Sequence, residues 1–191
     1  MWQSIKIAVR LLIIMTVLTG IIYPVAVTLT AQALFPAQAH GSLIVRDGVL
    51  IGSKLIGQSF SSPGYFQGRP SAAGQDGYDA ANSSGSNLGP TNKKLMDGAN
   101  ENIQKFREIN KIDGNTTIPA EMVLTSASGL DPDISAQGAY LQIERIASSR
   151  NLPPEKIRSL VDSLVIDKQL GLLGETRINV LQLNIALDAL K

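Results

Sequence analysis

The chain has 191 residues, 17 Lys and Arg against 16 Asp and Glu, a net charge of +1 and no cysteine. That balance lacks the basic surplus of a nucleic-acid binder, and 5% aromatic content argues against base-stacking platforms. Without cysteine there is no disulfide framework, no thiolate metal site and no cysteine nucleophile.

The first element is a charge-free apolar run from Leu11 to Phe35, LLIIMTVLTGIIYPVAVTLTAQALF. Roughly 20 apolar residues span a bilayer core, and a helix satisfies its own backbone there. A cleaved signal is the alternative, with Lys6 and Arg10 before the run and Ala37-Gln38-Ala39 resembling a cleavage site. A signal's apolar region is about 7–15 residues, so the length favours a retained anchor. Lys6 and Arg10 lie on the N-terminal side, so the positive-inside rule puts that end in the cytoplasm and exports the rest. Within the run, Thr16 and Gly20 have the small-residue spacing that admits a partner helix, and Pro24 predicts a kink.

Beyond Pro36 the composition turns polar. Leu43–Ile51 reads as a β-hairpin with Asp47-Gly48 as its turn. Residues 60–90 are dense in Gly, Ser, Asn and Pro, yet contain Tyr65, Phe66 and Tyr78. Such aromatics favour an ordered loop over a disordered linker. Thr91–Asn110 has helical periodicity through Leu95, Met96, Ala99, Ile103 and Phe106, with Thr91 or Asn92 as cap. Pro119–Thr125 is predicted as a short strand or extended entry. Ser135 caps a predicted helix from Ala136 to Ser149, Pro153-Pro154 opens another through Val165, and Asn179 caps a last one. The predicted fold is a single N-terminal transmembrane α-helix followed by one α+β soluble domain. Its divisions are a cytoplasmic 1–10, a transmembrane 11–35 and an extracytoplasmic 36–191.

There is no P-loop, no Gly-x-Ser-x-Gly and no Ser-x-x-Lys. Ser126 and Ser128 lack a basic neighbour, and the single histidine, His40, is remote in sequence. Asp131, Asp133 and Ser135 imitate a calcium loop, but the glycine stands at Gly138 and Gln142 replaces the closing glutamate. These residues read as turn and cap, so no catalytic, cofactor or metal residue is assigned.

The ordered segments Gly20-Ile21-Ile22-Tyr23-Pro24, Gly64-Tyr65-Phe66, Gly68-Arg69-Pro70-Ser71-Ala72, Ser84-Gly85-Ser86-Asn87-Leu88, Thr125 to Pro132 and Asn179 to Asn184 together carry a resemblance. The chain resembles the KdpC family, the C subunit of the bacterial Kdp potassium-transporting P-type ATPase. Thr125-Ser126-Ala127-Ser128-Gly129-Leu130-Asp131-Pro132 is the most specific segment. The resemblance implies an accessory subunit of the inner membrane, needed for assembly and high-affinity K⁺ uptake. Its implied partners are a channel-like potassium-binding subunit, a P-type ATPase subunit, a small single-helix subunit and the lipid bilayer, with no nucleic acid. It also implies a catalytic-chaperone effect on ATP affinity, with ATP and K⁺ handled by the complex.

An exported domain meets no ATP, so that effect is expected to be allosteric. Thr16, Gly20 and Pro24 are the residues expected to pack on a partner helix. Tyr65, Phe66, Arg69, Ser86 and Asn87 are the exposed-loop residues expected to dock, and Ser126, Ser128, Gly129, Asp131 and Pro132 are expected to fix internal geometry. The alternative from the residues alone is an exported, anchored binding module or a serine-type enzyme.

Overall fold

The structure is a computed structural model and describes residues 1–190. The chain forms two compact units, Met1–Ser53 and residue 54 onward.

The first unit begins with α1 (Trp2–Val17), a π-helical turn (Leu18–Ile22) and α2 (Tyr23–Leu34). Together they make a helix of 33 residues with mean hydropathy 2.2 and no buried residue in its most apolar window. At 1.5 Å per residue it is about 50 Å long, more than the roughly 30 Å of a bilayer core. It starts at Trp2, well before Leu11, because nothing between them breaks a helix. Pro24 lacks an N–H, and its ring crowds the carbonyl four residues back. The widened turn at Leu18–Ile22 lies just before it, so the expected irregularity takes the form of a π turn. Thr19 Oγ1 adds a bond to Met15 O at 2.7 Å. After a single-turn helix α3 (Pro36–Ala39) comes the predicted hairpin, β1 (Leu43–Arg46) and β2 (Val49–Ser53). Asp47 and Gly48 take φ of 53° and 78°, the left-handed pair that a tight two-residue hairpin turn requires. By contacts this hairpin groups with the apolar helix.

The second unit is built on helices. They are α4 (Lys93–Asn110), α5 (Ala136–Tyr140), α6 (Ile143–Arg150), α7 (Pro154–Ser163) and α8 (Val180–Ala189). Short strands β3 (Asp133–Ile134) and β4 (Ile178–Asn179) pair antiparallel. The predicted caps are present: Asn92 accepts from the Lys94 amide, Ser135 from Gly138 and Asn179 from Gln182. The core is one cluster including Phe66, Phe106, Ile134, Ile146, Ile157, Ile178, Leu183 and Leu187.

Two predicted elements differ. Pro119–Thr125, expected as a short strand or extended entry, holds one 3₁₀ turn at Ala120–Met122. Consecutive Met122 and Val123 are both buried, which an alternating strand would not permit, and the Asn102 amide takes the Val123 carbonyl. The expected helix from Ala136 to Ser149 is broken between Tyr140 and Ile143. An unbroken helix would send the Gln142 amide to Gly138 O. Here that amide bonds Ala139 O, and the Gln142 side chain takes the Gly138 carbonyl instead, at 3.1 Å.

Candidate functional site

Residues 60–90 contain no helix or strand, yet they are tied at many points to the helical body. The ties are built from side-chain amides and guanidinium groups. Asn184 Oδ1 accepts from the Phe66 amide at 2.8 Å, and its Nδ2 donates to Phe66 O at 2.9 Å. Gln142 does the same one residue on: Oε1 accepts from Gln67 N at 2.8 Å and Nε2 donates to Gln67 O at 3.1 Å. Two side chains from α8 and the α5–α6 break thus stand in for a neighbouring β-strand, satisfying buried backbone groups that have no sheet. Both are fully or nearly fully buried.

Arg145 on α6 extends the clamp. It donates to Asn110 Oδ1 and Gln142 Oε1 at 2.8 Å each, to Tyr65 O at 3.0 Å and to Pro63 O. Burial pulls its guanidinium down to about 10, so it remains charged at neutral pH. Arg150 donates to Gly64 O at 2.6 Å, pairs with Asp188 at 2.8 Å and lies 4.6 Å over the Tyr65 ring.

The motif from Ser126 to Pro132 forms the other wall. Ser84 N donates to Ser128 O at 2.9 Å, and Ser71 Oγ donates to Gly129 O at 2.6 Å. Gly57 N donates to Leu130 O, Asp131 pairs with Arg69 at 2.7 Å, and Pro132 O accepts from Val180 N. Ser126 Oγ lies 3.3 Å from Ser128 Oγ, which also accepts from Leu130 N. Gly129 has φ +66° and meets Ala73 and Ser84 closely.

The proposed docking residues therefore separate. Ser86 and Asn87 are exposed. Tyr65 is half-buried and hydrogen-bonds Asp188, and Arg69 is held by Asp131. Phe66 is not an exposed loop residue: it is fully buried, because its ring completes the core while Asn184 holds its backbone. Thr16, Gly20 and Pro24 lie along the apolar helix, and a side chain at Gly20 would meet nothing within 4 Å. Gln142, Arg145 and Asn184 were missed as site residues. A signal was present for Asn184, which falls on the apolar stripe of α8 four residues after Val180.

Asp133 lies beside this wall, with Arg177 at 3.0 Å and the Asn179 amide at 3.1 Å. Burial raises its carboxyl above the ordinary 3.8, helped by Asp131 and opposed by Asn179 and Arg177. A raised folded-state value means that stability from this group is complete below 3.8 and is lost as pH rises through the raised value. The stability of the wild type relative to Asp133→Asn is therefore expected to fall as pH rises through that window. Urea titrations at several pH values check this, and a relative stability that climbs with pH would contradict it.

Comparison with known proteins matches residues 5–189 to the family model described as K⁺-transporting ATPase, c chain. A potassium-transporting ATPase KdpC subunit from Bradyrhizobium diazoefficiens is 50% identical, covering 98% of each chain. One from Polaromonas naphthalenivorans is 53% identical over 96% of this chain and 93% of that one. A third, from Mycobacterium tuberculosis, is 49% identical over 96% of both. With nearly all of the apolar helix, and the tied loop and the 126–132 wall, inside the matched residues, the chain belongs to the KdpC family of potassium-transporting ATPase subunits.

Proposed function

We propose that this chain is an accessory subunit of a potassium-uptake ATPase in the bacterial inner membrane, anchored by α1–α2 and acting outside the cytoplasm. The observation that carries this reading is the 33-residue apolar helix with its only charges, Lys6 and Arg10, near the N-terminal end. That asymmetry orients the N-terminus inward and exports the second unit. The partners are a channel-like subunit that binds K⁺, an ATP-hydrolysing P-type subunit and a small single-helix subunit. The exported unit docks on the external face of the channel-like subunit and supports assembly and K⁺ entry. ATP and K⁺ are handled by those partners, and any effect on ATP affinity passes through the membrane helices, since cytosolic ATP does not reach an exported domain.

The absence of cysteine makes a clean test possible. Ser86 is exposed, so Ser86→Cys is expected to react with a membrane-impermeant thiol reagent in intact cells. Labelling only after lysis would reverse the topology and bring the second unit within reach of ATP.

A further inference from the structure

The register of the β1–β2 hairpin sorts its side chains. Val45 stands opposite Leu50, and Arg46 opposite Val49. Opposite residues share a face and successive ones alternate. Leu43, Val45 and Leu50 therefore lie on one face, and Arg46 and Val49 on the other. Leu43, Val45 and Leu50 are 53%, 62% and 57% exposed, and no apolar residue of either strand is buried. A lone two-stranded hairpin is marginal in water unless its apolar side packs on something.

The place of the hairpin in the chain decides what covers that face. Counting about 20 residues of bilayer core from Leu11, the first residue past Arg10, puts the far core boundary at Thr30. Leu34, where α2 ends, is then about 6 Å beyond that boundary, within the roughly 5–7 Å headgroup layer. The segment from Phe35 to Ser42 is folded on itself: Ala39 N donates to Phe35 O at 2.9 Å, and Ser42 N to Ala37 O at 2.8 Å. Ser53 Oγ donates to Gly41 O at 2.7 Å, which ties the end of β2 to the point where β1 starts. Both ends of the hairpin are thus held at the exit of the helix, in one compact unit with it.

The chemistry suits the same layer. A strand edge is not tolerated in the hydrocarbon core, whereas hydrated headgroups can satisfy its backbone groups. At the tip Arg46 and Asp47 carry opposite charges 3.9 Å apart, and Arg46 lies on the face away from the three apolar side chains. Resting on the membrane-anchored reading above, we infer that the hairpin lies flat on the bilayer around the helix exit, with Leu43, Val45 and Leu50 dipped into the boundary between headgroups and acyl chains.

The test uses the full chain in phosphatidylcholine vesicles with brominated acyl chains, in a Trp2→Phe background that removes the single tryptophan. Leu50→Trp is expected to lose most of its fluorescence to the bromines. Val49→Trp, one residue away on the opposite face, is expected to be quenched by aqueous iodide instead. Both positions are exposed, so both variants should keep the parent circular dichroism spectrum. Iodide quenching of both, or equal bromine quenching of both, would overturn the inference. In the assembled complex in its native membrane, a photo-crosslinking phenylalanine analogue at Leu50 is expected to label lipid, and capture of a protein subunit there would overturn the inference. Release of the chain from the vesicles by alkaline washing would defeat the anchored reading and this inference with it. A chain that stays in the vesicles while Leu50→Trp meets iodide would defeat the inference alone.

Discussion

Gly129→Ala is expected to destabilise the second unit by about 4 kcal/mol, among the larger effects of a single methyl group. Gly129 has φ +66°, which strains any L side chain. The added Cβ would lie 2.7 Å from the Ala73 amide nitrogen and closer still to Ser84 O. Both are backbone atoms, so no rotamer change relieves the overlap. The 71–73 and 83–85 segments must move off the 126–132 wall, and the Ser71–Gly129 and Ser84–Ser128 bonds go with them. Gly89→Ala is the control, since a Cβ there meets nothing within 4 Å. Urea unfolding of the full chain in detergent, followed by circular dichroism, gives the comparison. Equal midpoints for the two variants would mean that the wall yields easily and does not set the loop's path.

The second large effect lies at the amide clamp. Asn184→Leu keeps a side chain of similar size but removes both hydrogen bonds to Phe66. The Phe66 amide and carbonyl would then be buried without partners, at a cost of about 1–3 kcal/mol for each. The expected loss is roughly 3 kcal/mol. Hydrogen exchange should speed up at Phe66 and Gln67 before it does in α7, because the clamp is local. Asn184 and Gln142 hold adjacent residues, so Asn184→Leu and Gln142→Leu should be non-additive when combined. A fully additive pair would show that the two amides hold their residues independently.

Both predictions concern how an irregular segment keeps one path. Residues 60–90 cannot rely on helix or sheet, so each backbone group needs another partner. Side chains at far positions in sequence supply them: Gln142 to Gln67, Asn184 to Phe66, Arg145 to Pro63 and Tyr65. Ser86 and Asn87 are exposed while Phe66 is buried in the core. Under the docking role proposed above, an ordered surface lowers the entropy lost on association.

The features legible in the residues alone are those that short-range physics controls. The membrane-length helix follows from an uninterrupted apolar run, and the Asp47-Gly48 turn from residues that tolerate positive φ. The caps at Asn92, Ser135 and Asn179 follow from a side-chain oxygen beside unpaired amides. Family membership was legible too, because the ordered motifs run through nearly the whole chain. Tertiary structure decided the rest. Phe66 looked exposed because its neighbours are polar and glycine-rich, and only the core formed by α6, α7 and α8 gives its ring a place to go. Gln142 looked like a residue in the middle of a helix, and its role is seen only once Gln67, 75 residues away, is brought beside it to bond its amide. Pro119–Thr125 had the composition of a short strand or extended entry, but among the described residues no strand pairs with it, and the Asn102 side-chain amide donates to the Val123 carbonyl instead. In each case the partner is distant in sequence, and a contact across that separation leaves no local pattern to read.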